Sequence, residues 1–221
     1  MPLGGVIFDW DGVVINSARL HVKSWELLAA ELELKLPPNH FKLGFGKTNE
    51  IIIPKILKWS HKKVEINRWG KRKEELYREL ADVERIPILD GIREFLLSLK
   101  IKKIPCAIGT STEKENLTLA FSQLDIGHFF DGSICAEDVS EGKPNPEVFL
   151  KAAKIIGQKP GNCVVLEDST HGIEAAKAGG MKALGLTTTK SKSELISSGA
   201  DQVVANPTKL NISLLHSLFV N

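Results

Sequence analysis

The feature that most constrains the fold is a set of four short apolar runs, each ending in polar residues. Residues 5–8 (GVIF) run into Asp9, and residues 104–109 (IPCAIG) run into Thr110. Residues 164–166 (VVL) run into Glu167 and Asp168, and residues 182–186 (KALGL) into Thr187. None alternates with polar residues, which fits strands buried on both faces, as in a parallel sheet. Between them apolar residues step as i, i+3, i+4, i+7. Ile92, Phe95, Leu96 and Leu99 do so, as do Leu117, Ala120, Phe121 and Leu124, and again Phe149, Ala152, Ala153 and Ile156. This alternation predicts an α/β fold with a Rossmann-like, doubly wound parallel sheet. Ligands of such sheets bind beyond the carboxyl ends of the strands, where Asp9, Thr110 and the Glu167–Asp168 pair fall.

Residues 16–87 read differently. Helical stripes dominate: Val22, Trp25 and Leu32, then Ile52, Ile56 and Trp59, then Ile66, Trp69, Leu76 and Leu80. This predicts an all-helical insertion over 16–87 in a core made of 1–15 and 88–221. The last fifteen or so residues, NPTKLNISLLHSLFVN, with Leu214, Leu215, Leu218 and Phe219, read as a closing amphipathic helix packed on the core.

Composition narrows the function classes. Hydrophobic residues at 43% and charged residues at 25% exclude a disordered chain. A net charge of +2 gives no argument for nucleic acid or an acidic membrane. The N-terminus has no signal-peptide pattern, and no apolar stretch is long enough to span a bilayer. Cys106, Cys135 and Cys163 lack zinc spacing and read as buried reduced thiols. The expectation is a cytoplasmic monomer with no nucleic-acid or membrane partner.

The chemistry gathers at the strand ends. Asp9 and Asp11 flank Trp10, so in extended chain both carboxylates point one way, and Gly12 allows a sharp turn. A plain solvated turn is the alternative. Glu167 and Asp168 make four acids in one crevice. Two like charges about 4 Å apart repel by about 4 kcal/mol at a dielectric near 20. Such a cluster needs a cation, and hard oxygen ligands favour Mg²⁺. Thr110, Ser111 and Thr112 lie between a strand and a helix, which makes an anion site; Ser111 or Thr112 as a helix N-cap is the competing reading. Lys143 stands in the stiff loop GKPNP. Together these are the parts of phosphoryl transfer. Asp9, already ionised, would attack; Asp11 would donate and accept protons, for which its surroundings must be dry when the cap closes.

At this point the residues resemble the haloacid dehalogenase superfamily over the whole chain. DWDGVV is similar to its first motif, GTST to the second, GKPNPEVF to the third and LEDSTHGIEAAKAGG to the fourth. The resemblance implies Asp9 as nucleophile, Asp11 as general acid/base, and Thr110, Ser111 and Lys143 on the phosphate. It places Mg²⁺ at Asp9, Asp11, Glu167 and Asp168, and makes the insertion an α-helical cap. The third and fourth motifs are most similar to the beta-phosphoglucomutase and sugar-phosphate phosphatase branch. That branch implies substrate contacts from His21 and Lys73. Without it, His21 reads as a packing histidine and Lys73, on the stripe of Trp69 and Leu76, as a lysine that snorkels. Lys47, in GFGKTNE, stands nearest to the mutase arginine on the distal phosphate. A lysine lacks that bidentate fork.

The leading expectation is a Mg²⁺-dependent phosphatase of a small phosphorylated metabolite, such as a sugar phosphate. A phosphoglucomutase is the runner-up. A dehalogenase or a non-catalytic phosphate-binding module fits the retained acids less well.

Overall fold

The computed structural model describes residues 2–220. Six parallel strands form one sheet in the order β3-β2-β1-β4-β5-β6. The chain enters through β1 (Gly5–Phe8) and leaves it for four helical segments: α1 (Ala18–Glu31), α2 (His40–Gly44), α3 (Asn49–Ile51) and α4 (Lys63–Glu84). It then alternates through α5 (Ile92–Ile101), β2 (Cys106–Gly109), α6 (Lys114–Leu124) and β3 (Gly132–Ile134). On the other side of β1 come α7 (Glu147–Ile155), β4 (Cys163–Glu167), α8 (Thr170–Ala178), β5 (Lys182–Leu186), α9 (Lys192–Ser197), β6 (Gln202–Val204) and α10 (Ile212–Ser217).

The unbroken apolar runs follow from burial on both faces. Val6 and Phe8 of β1 face a layer that holds Phe95, Leu96, Leu117 and Leu215. Ile7, between them, faces Phe149, Ala152, Ile173 and Leu195 on the opposite side. Register pairs Ile7 with Ala107 of β2 and with Val165 of β4, so β1 is central. The strand order reverses between β1 and β4, which is where open sheets of this kind place their ligand crevice.

The inserted segments, with a fifth and π-helical one over Ile52–Leu57 between α3 and α4, have a cluster of their own: Trp25 and Leu28 of α1 with Ile52, Ile53, Leu57 and Leu76. Leu20, Tyr77 and Ala81, at the other ends of α1 and α4, join the core beside the sheet instead. The outgoing and returning chains run side by side, with Ile15 bridging Ile88 and the Asn16 amide donating to the Pro87 carbonyl at 2.8 Å. The helix expected around Ile52, Ile56 and Trp59 is a π-helical segment over Ile52–Leu57. It stops at Lys58, whose φ is 57°, so Trp59 lies past its end. Trp59 packs edge-on against Trp25 and Trp69. The three cysteines are buried and unpaired. Among the described residues no helix is long and apolar enough to cross a membrane.

Candidate active site

A cavity of about 290 Å³ lies between the strand ends and the inserted helices. Asp9, Asp11, Thr110, Ser111, Lys143, Glu167 and Asp168 all line it, and so do His21, Lys47 and Lys73. Residues from seven separate stretches of the chain therefore meet at one place. Trp10 turns away into the core, with its ring 5.5 Å from that of Phe121.

Asp9 follows β1, and its amide donates to the Leu166 carbonyl of β4 at 3.0 Å. Lys143 Nζ donates to Asp9 Oδ1 at 2.8 Å and to Glu167 Oε1 at 2.7 Å. Asp9 Oδ2 has no hydrogen bond among the described residues, so one oxygen is anchored and the other is free. Glu167 is fully buried; its Oε2 accepts the Asp168 and Ser169 amides at 2.8 and 2.7 Å. Asp168 Oδ2 accepts from Thr188 at 3.3 Å and from Thr189. Two glycines make room for these acids. A Cβ on Gly12 (φ 80°) would lie 1.9 Å from Asp168 Oδ2, and one on Gly172 would lie 1.7 Å from Glu167 Oε1.

The electrostatics point to a cation. One carboxylate oxygen each of Asp9, Glu167 and Asp168 lies within 4.8 Å of the others. Three carboxylates against the Lys143 ammonium leave two negative charges. Burial pushes the Asp9 carboxyl up to about 7; Lys143 opposes the rise, and Glu167 and Asp11 add to it. Burial, with Glu167 and Asp9, also raises Asp168 well above the usual carboxylate range. Lys143 stays charged: burial disfavours its cation, but Asp9 and Glu167 outweigh that and raise it above its ordinary value. Buried hard oxygen donors with uncompensated negative charge fit a divalent metal ion.

Asp11 is set differently. Its Oδ1 accepts from Ser17, its Oδ2 from Thr112, and His21 Nε2 lies 3.4 Å from Oδ1. Burial raises its pKa, but hydrogen bonds from His21, Ser17 and Thr112 hold it at about 2. The surroundings of Asp11 are dry but rich in donors, which favours its ionised form. Asp11 is ionised in this arrangement. It also stands outside the cluster of Asp9, Glu167 and Asp168. Thr112 is spent on Asp11 and is not the N-cap of α6; that position is Glu113. The Thr112 amide donates to Thr110 Oγ1 at 3.1 Å.

Lys73 does not snorkel. Its side chain is 3% exposed, with Nζ 2.7 Å from His21 Nδ1 and 2.9 Å from Glu74 Oε1. An ammonium only donates, so His21 Nδ1 accepts and the ring proton sits on Nε2, facing Asp11. Glu74 is buried and also accepts from Asn49 at 2.9 Å and from Asn116 of α6 at 2.7 Å. Burial raises the Glu74 pKa, but Lys73, His21 and Asn49 bring it to about 2. The loop after α2 reaches the sheet edge: a Cβ on Gly46 would lie 3.8 Å from Ser169. Sequence reasoning missed Ser17, Glu74, Asn116, Thr188 and Thr189. Only the two threonines had a signal, since they follow the β5 run at the same sheet edge.

The model of haloacid dehalogenase-like hydrolases matches residues 6–186. The chain belongs to this family. It is 38% identical over 204 residues to the chloroplastic 5-amino-6-(5-phospho-D-ribitylamino)uracil phosphatase of Arabidopsis thaliana; the match covers 90% of this chain and 53% of that protein. The chain thus spans about half the length of that relative. It is 28% identical over 218 residues to the beta-phosphoglucomutase of Bacillus subtilis, covering 96% of this chain and 93% of that one. In three dimensions it is similar to a HAD hydrolase of family IA, variant 3, from Entamoeba histolytica. There the TM-score is 0.89 at 27% identity, and both chains are covered in full.

Proposed function

We propose that this chain is a Mg²⁺-dependent phosphatase of a small phosphorylated metabolite, working through an aspartyl-phosphate on Asp9. The carrying observation is the Asp9 carboxylate, with Lys143 on one oxygen and the other free toward the cavity. The free oxygen attacks phosphorus, and the ester oxygen leaves. Lys143, Thr110 and Ser111 offset charge on the non-bridging oxygens. Asp9, Asp168 and Glu167 are the residues that would hold Mg²⁺, which supplies further charge neutralisation to the phosphoryl group when bound. Asp11 shuttles the proton, first to the leaving oxygen and then from the water that releases phosphate. To act as the acid it must first gain a proton, against the bonds from Ser17, Thr112 and His21. The His21–Lys73–Glu74 chain keeps the Nε2 proton of His21 facing Asp11, which favours the ionised form that takes the proton from water. The helical insertion acts as the cap over this chemistry.

A mutase must also hold a second phosphate while it turns the intermediate around, and the cavity charges weigh against that. Among the lysines of its wall, Lys143 and Lys73 are each already paired to acids. Lys47 alone has no ion pair among the described residues. Glu50, Glu113 and Glu137 share the wall. Glu113 is paired with Arg78 at 3.8 Å, which leaves one point charge beside Glu50 and Glu137 and suits a substrate with a single phosphate.

The test is phosphorus NMR of the purified protein with Mg²⁺ and a substrate panel. The panel holds sugar and glycerol phosphates, 5-amino-6-(5-phospho-D-ribitylamino)uracil, and beta-glucose 1-phosphate with a trace of glucose 1,6-bisphosphate. Free phosphate from at least one member is expected. Glucose 6-phosphate formed without free phosphate would make the chain a mutase and overturn the reading.

A further inference from the structure

The inserted helices meet α6 of the sheet side along a polar seam. α6 presents Asn116 and Gln123, seven positions apart and so two turns along one face. Asn116 is buried. Its Nδ2 donates to Glu74 Oε2 of α4 at 2.7 Å, and its Oδ1 accepts from Arg78, one turn further along α4, at 3.0 Å. A carboxylate only accepts and a guanidinium only donates, so the amide fits one way round. Gln123 grips the end of α4 in the same manner. Its Nε2 donates to the Ala81 carbonyl and its Oε1 accepts from the Ile86 amide, both at 3.0 Å.

Glu74 is buried beside Lys73, and a buried carboxylate is costly unless its oxygens are bonded. Oε1 accepts from Lys73 and from Asn49, each at 2.9 Å, and Oε2 accepts from Asn116. Packing two helices needs no buried ion pair; directional groups fix a register that apolar contact leaves free. From Glu74 the bonds run through Lys73 Nζ to His21 Nδ1 at 2.7 Å, and His21 Nε2 faces Asp11 Oδ1 at 3.4 Å. The chain of contacts thus leaves the sheet side at Asn116, crosses α4 and α1, and returns to the sheet side at Asp11. Its last step is at the outer limit of a hydrogen bond, so a small shift of α1 breaks it. Thr112, which also donates to Asp11, stands only four positions before Asn116, so seam and site share a base.

We propose that Glu74 and Asn116 are positioning residues: their hydrogen bond seats the inserted helices on α6 in the one register that, through Lys73, turns the Nε2 proton of His21 to Asp11. Both line the cavity, but their polar atoms are taken by each other and by Lys73, Asn49 and Arg78, so they act through these neighbours. The inference rests on the reading that Asp11 moves the proton.

The experiment reverses the bond. Glu74→Gln sets two NH2 groups against each other, and Asn116→Asp sets two carboxylates against each other. The double variant joins an amide donor at position 74 to a carboxylate at position 116 and leaves Arg78 an acceptor. Steady-state kinetics use Mg²⁺ and a hydrolysed panel member, at a temperature well below each variant's Tm. Each single variant is expected to lose about 10- to 100-fold in kcat with KM within about threefold of wild type, as a misplacement of about 1 Å can cause. The double variant is expected to regain most of that loss. Unchanged kcat in the single variants overturns the proposal, because the seam would then hold the fold alone. A loss in kcat or KM that the double variant does not regain overturns it too, because it marks direct contact with substrate. Should Asn116→Asp not fold, Glu74→Gln and the double variant carry the comparison. If no panel member is hydrolysed, the phosphatase reading fails, and long-range proton–nitrogen NMR of the His21 ring decides the seam on its own. A single tautomer, protonated at Nε2, in wild type and double variant, with mixed tautomers in Glu74→Gln, supports positioning. The same single tautomer in Glu74→Gln, or mixed tautomers in wild type, overturns it.

Discussion

Lys143→Met isolates the charge that holds the candidate site together. The lysine is 4% exposed and bridges Asp9 and Glu167 at 2.8 and 2.7 Å. Its Nζ sits 4.7 Å from the centre of the Phe149 ring, and methionine keeps an unbranched stem over that ring. The substitution therefore removes the cation with little loss of packing. Glu167 retains two backbone donors, whereas Asp9 loses its only side-chain partner. Breaking a buried ion pair from one side costs about 3–5 kcal/mol. Asp9, which burial already holds up at about 7, can relieve part of this by taking a proton, so the lower end is expected near neutral pH. For a chain of this size about 3 kcal/mol corresponds to a fall in Tm of roughly 6–12 °C. The assay is thermal unfolding by circular dichroism at pH 7.5, with EDTA and then with excess Mg²⁺. The variant is expected to recover more Tm with Mg²⁺ than the wild type does, because a ligand bound only by the folded state stabilises it. A Tm in EDTA within about 2 °C of wild type would refute the reasoning, because the buried bridge would then carry no net stability.

Two further perturbations probe neighbouring parts. Gly172→Ala puts a methyl 1.7 Å from Glu167 Oε1 and 2.6 Å from its Cγ, and the carboxylate is pinned by Lys143 and two amides. It is expected to destabilise by about 1–3 kcal/mol in urea unfolding, with phosphatase activity reduced as well; unchanged stability would show that Glu167 has room to move. Glu113 is raised to about 7 by burial first and then by Glu74 and Glu137. An acid raised on folding contributes stability below its unfolded pKa, and that contribution is lost as pH rises through 7. Glu113→Gln is therefore expected to gain Tm relative to wild type as pH rises from about 4.5 to about 7, and to hold a steady difference above that, measured by differential scanning fluorimetry; a constant difference over that range would contradict the assignment.

The central sheet was legible because β1, β2, β4 and β5 are buried on both faces and so appear as unbroken apolar runs. The edge strands were harder to see. Gly132–Ile134 and Gln202–Val204 have three residues each and are only half-buried, so neither leaves a run of that kind. The π-helical segment over Ile52–Leu57 has the apolar content of an α-helix, and its end at Lys58 depends on a left-handed backbone that no residue type there announces. At the site, Asp9, Asp11, Thr110, Lys143, Glu167 and Asp168 were legible because each follows a strand or stands in a stiff loop. The state of Asp11 was not. It depends on Thr112, which is 101 positions away, and on a histidine fixed by a lysine 52 positions further on. The same holds for Glu74, whose partner Asn116 lies on another helix. Such pairings are set by tertiary packing and leave no spacing pattern in the chain.

Covalent capture at Asp9 tests the central claim most directly. The protein is mixed with Mg²⁺ and a hydrolysed member of the substrate panel, quenched in acid during turnover, and mapped by mass spectrometry. One phosphoryl group on the peptide that contains Asp9 is expected, and Asp9→Asn is expected to lose both that label and the release of phosphate. Phosphate release that persists in Asp9→Asn, or a label on another residue, would contradict the account.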